Sequence, residues 1–162
     1  MKNFIILLLT CSALYAQTSA VALYEESQKA LSVGNIELAG EKMRAAIEAD
    51  KSNEKFRAEF DKLNNLRNKR NNANRAVQDG RFDDAIQGFG DVLQSVPNSA
   101  ESLYGTGKAY EGKKEFMTAV DFYKKSLQVD SGYDKSKKSI SNVAKKLYNS
   151  ANQDYKNGNL ES

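Results

Sequence analysis

The sequence predicts an all-α fold that is built from repeated pairs of antiparallel helices. Three observations predict it: apolar residues recur at helical spacing, the same pattern returns at a fixed offset, and the chain has only one Pro in 162 residues. Pro matters because it is the residue that most often interrupts a helix, and a fixed repeat indicates a duplicated structural unit. Four residue pairs share one 34-residue offset: Phe82 and Phe116, Ala85 and Ala119, Phe89 and Tyr123, and Leu93 and Leu127.

The segment from Met1 to Ala16 has the features of a secretory signal peptide, which is removed from the mature protein. Lys2 supplies a positive charge, residues 4–9 form an unbroken apolar stretch, and the segment ends in the small residue Ala16. We expect cleavage after Ala16 and export to the periplasm or out of the cell. The apolar stretch is shorter than the roughly 20 residues that a membrane-spanning helix needs, and no later stretch approaches that length.

Cys11 leaves a second mode of export open. Bacterial lipoproteins carry a Cys directly after the apolar stretch of the signal, where the Cys becomes lipid-modified. Leu8 and Leu9 before Thr10 resemble that pattern, although Thr10 stands where Gly, Ala or Ser is usual. The alternative to simple secretion is therefore an outer-membrane lipoprotein with its anchor at Cys11.

The mature sequence lacks the side chains that most metal sites and many catalytic sites use. It contains no His, and Cys11 is the only Cys of the whole chain. A mature chain that begins at Gln17 therefore has no disulfide, no thiolate or imidazole metal site and no nucleophile that depends on Cys or His. We predict no catalytic residue, no metal site and no cofactor. The formal net charge of +3 does not point to nucleic acid as a partner.

The helices can be placed in order along the chain. A weak apolar stripe around Leu23 and Ala30 predicts the first helix, and the second helix matches the next repeat at one constant offset. The residues at this offset are Ile36, Ala39, Met43, Ala46 and Ile47, which match Phe82, Ala85, Phe89, Val92 and Leu93. In that next repeat the apolar stripe continues to Val96, and Pro97 ends the helix.

Two first helices are predicted to be elongated, because the repeat spacing is wider there than between the other units. They run from Glu54 to Gln78, about seven turns, and from Asp134 to Asn157. Their apolar stripes consist of Phe56, Phe60, Leu63, Leu66, Ala73 and Val77, and of Ile140, Val143, Leu147, Tyr148 and Ala151. Glycines inside other helical patterns, such as Gly105 and Gly107, lack the preceding strand that a phosphate loop needs. We interpret them as packing positions.

The repeat resembles the tetratricopeptide repeat, a unit of two antiparallel helices and about 34 residues. The residues that carry the resemblance are Gly80, Phe82, Ala85, Phe89, Pro97, Leu103, Gly107, Tyr110, Phe116, Ala119, Tyr123 and Leu127. The usual aromatic residue near the start of the first helix is absent, and Ser126 replaces a more common Ala. The resemblance implies a right-handed α-solenoid over residues 17–162, with units at about residues 20–53, 54–99, 100–133 and 134–162. The last unit lacks its second helix, so we expect a fragmentary chain that continues past Ser162 or, alternatively, a C-terminal capping helix.

The resemblance implies a non-catalytic scaffold of the bacterial cell envelope that binds a peptide or partner protein in a concave groove. The candidate partner-binding residues lie on the first helices beside the core stripe: Tyr24, Gln28, Arg67, Arg70, Asn74, Tyr104, Lys108 and Glu111. One alternative is an N-terminal helper domain of a larger envelope enzyme or uptake system. Another is direct enzymatic action on glycans through Asp and Glu.

Basic residues accumulate on the two elongated helices. They are Lys62, Arg67, Lys69, Arg70 and Arg75 on the first, and Lys135, Lys137, Lys138, Lys145 and Lys146 on the second. Such runs are usually solvated helix faces, which is the interpretation that we favour. A positive stripe that attracts an anionic partner, such as an acidic protein segment or an envelope polymer, is the alternative.

Overall fold

The computed structural model describes residues 19–157. The predicted signal peptide, Cys11 and the residues after Asn157 lie outside this range. Within it the chain forms helices and turns without strands. Helix α1 occupies residues 19–32, and it is followed by α2 (Ile36–Ala49), α3 (Glu54–Gln78), α4 (Phe82–Ser95), α5 (Ala100–Gly112), α6 (Phe116–Val129) and α7 (Asp134–Lys156). The prediction of an all-α fold is confirmed.

Short turns between successive helices reverse the chain and make the neighbours antiparallel. Gly34 and Gly80 adopt positive φ angles of 83° and 75° in two of these turns, a backbone conformation that Gly enters without steric cost. Ser99 begins α5 by accepting a hydrogen bond from the Ser102 N–H, which satisfies one of the free donors at a helix start. The predicted bounds of the elongated helix α3 are confirmed, and α7 ends one residue before the predicted Asn157.

The described helices divide into two compact units. The first contains residues 19–69 together with Val96–Asn98. Its core includes Met43, Phe56 and Leu63, and Tyr24 stacks on Phe56 with 5.0 Å between the ring centroids. Apolar side chains from α1, α2 and α3 thus cover one another in this unit.

The second unit contains residues 70–95 and 99–157. Here α5 packs against α4 and α6, and α6 packs against α7. Ala85, Phe89, Ala119 and Tyr123 are fully buried. These are the residues that the 34-residue offset predicts as equivalent interior positions, so the alignment of the repeats is confirmed.

Two glycines allow α5 to approach both of its neighbours. A Cβ atom on Gly105 would lie 2.6 and 2.7 Å from the two Cε atoms of Phe89 on α4, and one on Gly107 would lie 2.5 Å from the ring of Tyr123 on α6. Any larger residue at either position would overlap a buried aromatic ring. The interpretation of these glycines as packing positions is confirmed.

The apolar stripe of α7 is covered only in its first half. Val143 is fully buried, whereas Leu147 is 38% exposed and Tyr148 is 68% exposed. Ala151 is exposed as well, and no described residue of α7 after Val143 is buried. The predicted elongated helix is present, and its stripe beyond Val143 has no cover among the described residues.

Candidate functional site

One face of α5 carries a row of polar and aromatic side chains. Glu101, Tyr104, Lys108 and Glu111 follow one another at steps of three, four and three residues, which places them on the same side of a helix. This row, which we call the α5 face, contains three of the predicted partner-binding residues. It lies wholly within the second unit, where α3, α6 and α7 supply its neighbours.

Glu111 is the centre of an ionic cluster at one end of the α5 face. Its carboxylate accepts hydrogen bonds from the Tyr123 hydroxyl at 2.6 Å, from Lys108 Nζ at 3.0 Å and from Lys146 Nζ at 2.7 Å. The Glu111 side chain is only 8% exposed, whereas those of Lys108 and Lys146 are 37% and 55% exposed. A buried acid thus holds two accessible ammonium groups next to each other.

The surroundings of Glu111 keep it ionised. Burial raises its pKa, but the hydrogen bonds from Lys146, Tyr123 and Lys108 outweigh burial and hold the pKa of Glu111 at about 2. Burial and the nearby Glu111 raise the pKa of Tyr123 far above its ordinary value. At neutral pH the cluster therefore contains one carboxylate, two ammonium groups and a neutral phenol, with a net positive charge.

The other end of the α5 face is built around a second ion pair. Arg70 of α3 contacts the Glu101 carboxylate at 2.9 Å, and the Arg70 side chain is only 5% exposed. Between the two ends, Tyr104 packs against Tyr123 and Tyr133, with ring centroids 5.5 and 5.6 Å away. Burial, followed by Glu101 and Tyr104, raises the pKa of Tyr133 to about 12. On the α5 face, Tyr104 thus lies between two ion-pair clusters and packs against two tyrosines from outside α5.

The remaining candidate residues have simpler surroundings. Tyr24 and Gln28 on α1 and Arg67 on α3 are half-buried in the first unit, where Arg67 donates to Asn64 Oδ1 at 3.0 Å. Asn74 on α3 is half-buried in the second unit. The partner-binding role of these residues stays a prediction.

One expectation about charged residues requires correction. Arg70 is 4% exposed, so it does not belong to a solvated face or an accessible positive stripe, because its charge is used in the pair with Glu101. Glu111, a predicted partner-binding residue, has its carboxylate facing Tyr123 and the two lysines. Both side chains hold the α5 face together.

Sequence reasoning missed the partners that complete this face. In the sequence, Lys146 is only one member of a basic cluster, and Tyr123 and Tyr133 are only aromatic residues of the core or of a stacking surface. The pairing of Lys146 with Glu111 spans 35 positions in the sequence. The nearest signal is the helical spacing of Tyr104, Lys108 and Glu111, which correctly places these three on one side of α5.

Residues 19–157 contain neither a metal cluster nor a membrane span that would suggest a different kind of site. No group of three or more Cys, Asp or Glu side chains in that range could hold a metal ion. None of the described helices combines the length and the apolar composition that crossing a bilayer requires. The α5 face is the candidate that the geometry supports best.

The solved structures that align with this chain include the following two. The N-terminal domain of stress-induced protein-1 (STI-1) from C. elegans aligns with a TM-score of 0.42 and 18% identity, over 80% of this chain and 97% of that domain. The TPR domain of P58(IPK) aligns with a TM-score of 0.39 and 16% identity, over 82% of this chain and 47% of that one. No protein-family model and no curated protein matches the sequence.

Proposed function

We propose that the chain is a non-catalytic protein-binding scaffold of the bacterial cell envelope and that its α5 face receives an acidic segment of a partner protein. The observation that supports this proposal is the convergence of Lys108 and Lys146 on the single carboxylate of Glu111. The resemblance of the repeat to the tetratricopeptide unit supports a protein or peptide as the partner.

The chemistry of the ionic cluster favours a carboxylate as the group that is recognised. One carboxylate cannot neutralise two ammonium groups, so the cluster keeps a positive charge. Each ammonium group has three donors, and Lys108 and Lys146 each give one to Glu111. An Asp or Glu side chain, or the C-terminal carboxylate of a peptide, can accept further donors from both lysines. Tyr104, half-buried and four residues before Lys108, adds an aromatic surface for an apolar neighbour of that carboxylate.

The proposal is tested by affinity capture with two matched variants. The tagged mature chain is incubated with an envelope extract, and bound proteins are quantified by mass spectrometry. Lys146→Met and Lys145→Met remove the same charge from adjacent positions of α7. Lys146 contacts Glu111, whereas Lys145 is exposed and has no ion pair within residues 19–157.

A partner that is retained by the wild type and by Lys145→Met should be reduced about tenfold with Lys146→Met, because losing a charge-assisted hydrogen bond costs about 1.5 kcal/mol. Circular dichroism checks that both variants stay helical. The proposal is wrong if no protein is enriched over empty resin, or if both variants lose the partner equally.

The envelope location has its own experiment. The chain is expressed together with residues 1–16 in a bacterium, cells are fractionated, and the N-terminus of the mature protein is determined. A mature chain that begins at Gln17 in the periplasm or medium agrees with secretion. A lipid-modified Cys11 in the membrane fraction identifies the lipoprotein alternative. A cytoplasmic chain that retains Met1 contradicts export.

A further inference from the structure

The two ends of the α5 face expose opposite charges to solvent. At one end the side chain of Glu111 is 8% exposed, whereas those of its bases Lys108 and Lys146 are 37% and 55% exposed. At the other end the Arg70 side chain is 5% exposed, whereas that of its acid Glu101 is 40% exposed. A partner that approaches the face therefore meets two ammonium groups at one end and a carboxylate at the other.

The pairing of Arg70 with Glu101 leaves this carboxylate able to accept further donors. Arg70 Nη1 lies 2.9 Å from Oε2 of Glu101, and a carboxylate has room for about four donors. Its negative charge acts on the neighbouring phenol, because burial and then Glu101 raise the pKa of Tyr133 whereas Arg70 lowers that pKa by less. This end of the face is therefore suited to the charged nitrogen of a Lys or Arg side chain.

The charged ends lie in line along α5, with aromatic surface between them. Glu101 and Lys108 are about 10 Å apart along the helix and within about 20° of each other around it, and Glu111 is about 15 Å from Glu101. Between the ends, Tyr104 and Tyr133 are half-buried, with ring centroids 5.6 Å apart. Along the face, a carboxylate, tyrosine rings and two ammonium groups thus follow one another.

An extended peptide can match this order with alternate side chains. Residues i, i+2 and i+4 of an extended segment point to one side and span about 13 Å, at about 3.3 Å per residue. That span falls between the distances of about 10 and 15 Å that separate Glu101 from Lys108 and from Glu111. A base and an acid at the outer positions, with an apolar residue between them, reach the three parts of the face together.

We propose that the partner segment carries both charges: an Asp or Glu for Lys108 and Lys146, a Lys or Arg four residues away for Glu101, and an apolar residue midway between them. This inference rests on the proposed acid-binding function of the α5 face and adds Glu101 as the residue that selects among acidic segments. Glu101 repels a segment with acids at both outer positions, so a uniformly acidic segment is a poorer partner than one of mixed charge.

The test measures the binding of synthetic peptides to the mature chain by fluorescence anisotropy. Two short probes with blocked termini and an uncharged fluorophore carry Lys, Leu and Asp at alternate positions among Ser and Gly, one in that order and one in reverse. The probe that binds more tightly is compared with two relatives, in which Met replaces either the Lys or the Asp.

Two variants of the chain each remove one carboxylate charge. Glu101→Gln keeps an oxygen that can accept from Arg70, and Asp121→Asn is the matched control. Asp121 is exposed on α6, about 200° around that helix from Tyr123. Circular dichroism checks that both variants stay helical, and the comparison of peptides on the wild type does not depend on either variant.

On the wild type, replacing the Lys of the probe by Met should weaken binding about fivefold, the upper end of what an exposed ion pair contributes. General attraction to a chain with a formal net charge of +3 would act in the opposite direction. The same replacement should change binding to Glu101→Gln by less than about twofold and keep its fivefold effect on Asp121→Asn, because only the first variant lacks the carboxylate that the Lys contacts.

The two replacements in the peptide separate this inference from the proposed function. If binding depends on the Asp of the probe but not on its Lys, the face binds acids without selecting a base, and the inference alone is wrong. If no probe binds, or if Lys146→Met leaves the affinity unchanged, the acid-binding function is wrong and the inference with it. Sedimentation velocity that shows dimers which Lys146→Met dissociates would identify a second copy as the occupant and would also overturn the inference.

Discussion

A single added methyl group at Gly105 tests the close packing of α5 against α4. The Cβ atom of an Ala at this position would lie 2.6 and 2.7 Å from the two Cε atoms of Phe89 and closer still to its Cζ atom. Phe89 is fully buried, so its ring cannot move into solvent to make room. Overpacking of this kind costs about 1–3 kcal/mol, whereas replacing a helical Gly by Ala stabilises by at most about 1 kcal/mol. We expect Gly105→Ala to lower the free energy of unfolding by about 1–2 kcal/mol.

Gly90→Ala makes the same chemical change at a position with space. Gly90 lies in α4, and a Cβ atom placed on it would have no neighbouring atom within 4 Å. Ala should therefore stabilise the helix there by about 0.5–1 kcal/mol. Urea denaturation followed by circular dichroism should separate the two variants by about 2 kcal/mol. If Gly105→Ala proves as stable as Gly90→Ala, α4 and α5 do not pack as described.

Three further predictions concern the core and the ionic cluster. Phe89→Ala should lower the free energy of unfolding by about 3–5 kcal/mol, as truncation of a buried aromatic does, and an unchanged melting curve would show that the ring is not interior. Tyr123→Phe should cost about 1.5–3 kcal/mol in urea denaturation, because Glu111 loses a hydrogen bond to its charged carboxylate; a neutral effect would contradict the contact. The depressed pKa of Glu111 stabilises the fold above pH 4.5, the ordinary pKa, and this contribution is lost as the pH falls towards about 2. Urea midpoints of Glu111→Gln should therefore change less over that window than those of the wild type, and parallel curves would count against the depressed pKa.

The helix pairs were predictable because the signal for each helix is local. Spacing and the 34-residue offset alone place Ala85 and Ala119 in the interior, and both are fully buried. The elongated helix from Glu54 to Gln78 is predicted correctly for the same reason. Helical periodicity indicates which side chains face the core, and each copy of a repeated sequence gives the same indication again.

For α7, local pattern predicts the helix and its apolar stripe but not whether a neighbour covers that stripe. Leu147 and Ala151 continue the apolar stripe. The stripe indicates only that this face of α7 is suited to burial. Burial also needs a neighbour, and no described helix covers these residues.

The charged residues of the α5 face were the hardest to predict. Arg70 and Glu101 lie on different helices, and their pairing depends on how α3 and α5 pack. Lys146 meets Glu111 across 35 sequence positions. A sequence indicates the side of the helix on which an acid lies but not the base that it will face, so the sequence alone does not predict the partners of Glu111.

The position of Glu111 joins the stability of the second unit to the charge of its surface. Its three donors come from three successive helices: Lys108 from α5, Tyr123 from α6 and Lys146 from α7. A buried ion pair adds little net stability, because the loss of hydration offsets the attraction between the charges. Apolar side chains in place of the whole cluster would serve the packing equally well, so a need for stability alone does not explain a carboxylate with these partners here. The Glu111 carboxylate fixes the positions of both lysine side chains. Its negative charge offsets the repulsion between the two ammonium groups, so they can lie side by side at the surface. We interpret Glu111 as the residue that fixes Lys108 and Lys146 in position for the acidic segment that we propose as their partner.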